Sequence, residues 1–143
     1  MSRRELITAH VVQTLKNAED PRFGLVTREP FDVTQLSRQQ FPALYISTAD
    51  EAREDITQTG TSGTRQSRLQ IRIVGYVNGT ALDTLRNDLV ERVEEVLDTD
   101  RTRGGQAYST QLIEVSVDYS LVQPYGRVEL LVEVVYTYRR GLV

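Results

Sequence analysis

Residues 110–140, "TQLIEVSVDYSLVQPYGRVELLVEVVYTYRR", alternate apolar and polar side chains over two long runs. In the first run Ile113, Val115, Val117, Tyr119 and Leu121 share one parity, while Glu114, Ser116, Asp118 and Ser120 share the other. In the second, Val128, Leu130, Val132, Val134, Tyr136 and Tyr138 fall on a single parity. A period of two marks a strand with one buried face. Between the runs, "QPYG" places Pro and Gly where a tight turn uses them. Two such strands across a turn predict a long antiparallel hairpin, with Val117 and Val132 both turned inward. An apolar sheet face needs a second layer to cover it.

Two helices are available for that layer. Residues 80–100, "TALDTLRNDLVERVEEVLDTD", carry Leu82, Leu85, Leu89, Val93, Val96 and Leu97 as one broad face. Thr80 and Asp83 have N-cap and N3 spacing at its start. Arg86 interrupts the apolar face and is expected to carry its charged head to solvent at an edge. Residues 2–18, "SRRELITAHVVQTLKNA", place Ile7, Val11, Leu15 and Ala18 on one stripe, with Ser2 and Glu5 at capping-box spacing. Asp20, Pro21 and Gly24 end it. Three more strands are expected. Residues 25–33 read as a weak one, demoted by Pro30, and 41–48, "FPALYIST", as a short one. Residues 68–77, "RLQIRIVGYV", turn Leu69, Ile71, Ile73 and Val77 one way and Gln70 and Arg72 the other.

The fold class that follows is α+β in two layers: a mainly antiparallel sheet of about four to five strands with two helices packed on one face. The opposite face is polar, setting Glu114, Asp118, Glu129 and Glu133 against Arg72 and Arg127. A length of 143 residues suits one domain spanning 1–143, with a core large enough to need no disulfide or metal. Cys is absent, which removes thiolate chemistry. A net charge of −3 argues against a surface given over wholly to nucleic acid. The start, "MSRRELITAH", turns charged too early for a signal peptide, and no apolar run approaches the roughly 20 residues of a membrane span. A protein made in the cytoplasm, with no membrane partner, is expected.

One stretch resists the pattern: residues 50–68, "DEAREDITQTGTSGTRQSR". It is expected as a long polar loop, and such loops in compact domains are usually functional or disordered. Its charges, Asp50, Glu51, Arg53, Glu54 and Asp55 with Arg65 and Arg68 at the far end, are candidates for assembly contacts. The carboxylates suit a solvated loop better than a hard-cation site, because the EF-hand pattern is missing. "GTSGT" lacks the Lys of a phosphate loop. His10 is the one histidine, with no second ligand or nucleophile to serve. "RTRGG" from Arg101 reads as a small basic loop, for solubility or for a phosphate or partner contact. No catalytic residue, cofactor or metal is expected, and an interaction module is favoured over an enzyme.

Taken together, "FPALYISTADE", "LQIRIVGYVNG", the second helix, and the passage through "PYG" to "VVYTYRRG" resemble the tail-terminator, or tail-completion, proteins of long-tailed bacteriophages and related tailed particles. The resemblance covers nearly the whole chain. It implies a structural virion protein without catalytic residues, located at the neck end of the tail and assembled in the host cytoplasm. It implies a homo-oligomeric ring, usually a hexamer, that caps the tail tube, stops its polymerisation and joins it to a neck or head-completion protein. DNA would pass through the lumen without sequence-specific binding. The polar sheet face is the candidate lining, and the 50–68 loop a candidate assembly arm. A neck or head-completion connector of the same particle, and a free-standing α+β ligand-binding or regulatory domain, are the alternative readings.

Overall fold

A computed structural model describes the chain over residues 2–20, 22–56 and 63–139. Helix α1 (Arg3–Lys16) is followed by strand β1 (Leu25–Thr27), two 3-10 turns (Val33–Gln35 and Arg38–Gln40), and strands β2 (Ala43–Asp55) and β3 (Thr64–Asn78). Helix α2 (Leu82–Leu97) and strands β4 (Ser109–Asp118) and β5 (Tyr125–Arg139) complete the order. The sheet runs β1-β2-β3-β5-β4. Among the described residues only β1 with β2 is parallel; the other pairs are antiparallel. The α+β expectation and the closing hairpin stand, and both α-helices lie on one face.

Local chemistry sets the ends of α1. Ser2 is extended, and its hydroxyl accepts from the Glu5 amide at 3.2 Å, satisfying one orphan donor of the first turn. Ile7, Val11 and Leu15 are fully buried. Helix α2 departs from expectation at its start: Ala81, not Thr80, is the N-cap, and it has no side-chain capping bond. Packing holds α2 instead, through Leu89, Val93, Val96 and Leu97 against the sheet. Arg86, expected at an edge, is 6% exposed. Its guanidinium stacks over the Tyr119 ring at 5.1 Å and lies 3.9 Å from Asp83.

The two longest strands form the spine. β3 and β5 pair from Thr64↔Arg139 to Asn78↔Tyr125 without interruption. Residues directly opposite share a face, so Leu69, Ile71 and Ile73 meet Val134, Val132 and Leu130 beneath the helices, all fully buried. Gly75 is required here: a Cβ at that position would sit 2.4 Å from a Leu89 methyl. On the other side of the sheet Phe31 lies edge-on to Tyr45 and Tyr76, at 6.5 and 5.2 Å. The expected strand over 25–33 therefore stops after Thr27.

Candidate functional site

The polar stretch 50–68 is not one long loop. β2 continues to Asp55 and β3 begins at Thr64, and the register Glu51↔Leu69 through Asp55↔Arg65 pairs them. Residues 57–62 of the stretch lie outside the described residues. The loop expectation is corrected for 50–55 and 64–68. The first turn of α1 reaches only the start of this segment, through Arg4 at Glu51; toward Asp55 and Thr64 the strand ends are half-buried or exposed, so polar side chains serve as well.

A bulge between Thr48 and Glu51 decides what faces inward. One extra residue on β2 keeps Thr48 and Glu51 on the same side, opposite Ile71 and Leu69. Asp50 is left exposed at the bulge. Glu51 is thereby carried beneath the sheet, its side chain 6% exposed. Ser67 Oγ donates to it at 2.5 Å and Tyr136 Oη at 2.7 Å. Arg53 approaches at 2.7 Å through Nη2, and Arg4 at 3.6 Å. Burial pushes the Glu51 carboxyl up, but the hydrogen bonds from Ser67, Tyr136 and Arg53 outweigh it and hold the group below the usual carboxylate range. Arg53 also lies over the Tyr138 ring at 5.2 Å. Asp55 pairs with Arg65 at 2.9 Å, and Glu54 accepts from Gln66 at 3.3 Å. These charges, expected to be held for a neighbour, are largely engaged within the hairpin.

The candidate polar face is brought together. Arg72, Glu114, Asp118, Arg127, Glu129 and Glu133 all lie on the side of the sheet away from the helices. Arg127 bonds Asp118, reaches Glu129 at 2.8 Å, and sits 5.9 Å from the Tyr76 ring centre. Arg68 joins them, 3.3 Å from Glu133. Arg72 and Glu114 line a hollow of about 190 Å³ with Ser116 and Glu129. Four carboxylates thus stand against three guanidiniums, a mixed surface rather than an acidic one.

Three features escaped the sequence reading. Arg103, expected in a solvated basic loop, is fully buried, and its guanidinium donates to the Leu97 and Asp100 carbonyls. It closes the C-terminal end of α2, where carbonyls lack helical partners. Gly104 and Gly105, at φ 69° and 87°, let the chain turn back behind it. The Thr102 hydroxyl and the amides of Gly104 and Thr102 hold Asp100 at a pKa of about 2. His10 lies 3.7 Å from that carboxylate. Burial first, then the Arg103 charge, lowers its pKa.

The second feature is β4. A bulge between Leu112 and Glu114 turns Leu112 toward the core opposite Val132 and leaves Ile113 40% exposed. Val115 and Val117 do face the helix side, opposite Leu130 and Val128, but remain 45% and 40% exposed. The expected burial of Ile113, Val115 and Val117 is corrected: β4 is an edge strand, and α2 covers it only in part.

The third is a cavity of about 530 Å³ on the far flank of α2. Phe23, Phe41, Val77, Leu85 and Leu89 line it, and Arg22, Arg38, Asp88 and Arg92 also border it. No group of three His, Asp or Glu side chains converges as a metal site among the described residues.

No family profile matches the chain, and no protein of assigned function matches it in sequence. Among solved structures it is similar to a chain of one described as "Virion of native gene transfer agent (GTA) particle". The two are 13% identical with a TM-score of 0.49, over 92% of this chain and 94% of that one. A likeness that slight carries no functional argument.

Proposed function

We propose that this protein is a ring-forming tail terminator: a structural virion protein that caps the tail tube, stops its growth and joins it to the neck. The sequence resemblance supplies the family. The observation that carries the reading beyond it is the layout of the sheet. Both lateral borders are open, at β4 on one side and at β2 beyond its short pairing with β1 on the other. Two different borders allow head-to-tail association, and a heterologous contact whose rotation closes makes a ring. The hairpin end of β2–β3, extended by β5, is the part offered to the next layer of the particle. The ring is a hexamer in this reading. The mixed polar face lines the lumen, where paired charges give passing DNA few free cations to hold. Tail tube protein and a neck or head-completion protein are the axial partners.

The test is loss of the protein during particle assembly, followed by electron microscopy of the tails. A terminator leaves tails of uncontrolled length that do not join heads. Tails of normal length that remain unjoined would move the assignment to a neck connector. The arginine-bordered cavity favours one further reading, a ligand-binding domain outside any particle, and normal finished particles in the same experiment would support it.

A further inference from the structure

The two flanks of α2 differ in kind. On one side, Val115, Val117 and Tyr119 form an apolar strip, Tyr119 being 77% exposed. On α2, exposed Asp83 and Glu94 fall by helical spacing on the flank that carries Arg86, which reaches Asp83 at 3.9 Å and stacks on Tyr119. On the other side lies the cavity, with Phe23, Phe41 and Leu85 in its walls. Arg22 and Arg38 at that cavity have no ion-pair partner among the described residues. One surface is apolar and bordered by carboxylates; the other is apolar, concave and bordered by three guanidiniums and the single carboxylate of Asp88. Each on its own is an exposed apolar surface of the sort that marks an interaction site, although Arg86 already stacks on one face of the Tyr119 ring. Both lie on the helical side of the sheet, separated by the width of α2.

We infer that the occupant of the cavity is a second copy of this chain: the β4 strip of one subunit enters the cavity of the next, with Asp83 and Glu94 set toward Arg22 and Arg38. The charges select this pairing. The cavity volume lies within the range that accepts a few buried side chains. The contact is heterologous, so it repeats around a ring and leaves both axial ends free. It rests on the ring reading and specifies which surfaces meet.

Two variants of the full chain test it, Val117→Arg on the strip and the double change Arg22→Glu with Arg38→Glu at the cavity. Val115→Lys replaces Val117→Arg if circular dichroism shows that variant misfolded. Native mass spectrometry is run on the wild type, on each variant, and on an equimolar mixture. The expected result is rings from the wild type, monomers from each variant alone, and heterodimers on mixing, where one intact strip meets one intact cavity. Self-association of each variant should weaken roughly ten-fold or more. Folded variants that still form wild-type rings would overturn the pairing while leaving the ring reading in place. Monomeric variants that ignore each other would also overturn it. A wild type that never associates would sink the ring reading and this contact with it.

Discussion

The two hairpins of the sheet teach opposite lessons about polarity. In β4–β5 the alternation is nearly perfect, yet β4 stays half open because α2 covers this edge strand only in part. In β2–β3 the sequence is polar enough to pass for a loop, yet the ladder runs on, and the Glu51 side chain is only 6% exposed. Alternation tells which way a side chain points. It does not tell whether another element covers that face.

The sharpest way to break this contrast is a pair of matched substitutions. Val132 is fully buried and Val117 is 40% exposed, although both have inward parity. Val132→Asp should cost about 4 kcal/mol or more, since it buries an unpaired charge, and should unfold the domain or lower its melting temperature by many degrees. Val117→Asp should cost under about 1 kcal/mol in the monomer. Thermal melts of the two variants decide it; similar losses would mean β4 is covered after all.

Next in size is Glu51. Glu51→Ala leaves Ser67, Tyr136 and Arg53 without their shared acceptor and should cost about 2–3 kcal/mol, measured by urea denaturation. Its pKa is lowered in the fold, so its contribution is present above the ordinary carboxylate range and is lost as the pH falls through the folded value. Glu51→Gln should flatten that part of the acid-unfolding curve. An unchanged curve would place Glu51 in solvent, as the loop reading had it.

These two residues show how far the sequence was legible. Element order, the α+β class and the inward set of β5 follow from periodicity, because β5 lies between two strands and beneath α2. The coverage of β4 does not follow, because the reach of a helix over an edge strand is a tertiary fact. The two bulges were hidden for the same reason: each inserts one residue without a Gly or Pro to announce it. Arg103 looked like any loop arginine; only the neighbouring Gly104 and Gly105 hinted at a turn tight enough to bury it. Of the candidate site, the polar face could be read from parity, whereas the cavity between α2 and the 22–42 segment could not.

Smaller effects sharpen the comparison. Asp55 and Arg65 are both one-third exposed, so a double-mutant cycle on them should give under about 1 kcal/mol of coupling, shrinking with added salt. His10→Ala should change stability less still, because a lowered pKa leaves the ring neutral at pH 7 and its approach to Asp100 weak. The variant should assemble as the wild type does. Loss of assembly from a normally folded His10→Ala protein would give this histidine a role that its surroundings do not suggest.

The most direct measurement is native mass spectrometry of the purified full chain over a concentration series, with electron microscopy of the same sample. One closed species of six copies is expected, seen end-on as a ring with a central opening. A chain that remains monomeric at every concentration, or that grows into open filaments with no preferred number, would contradict it.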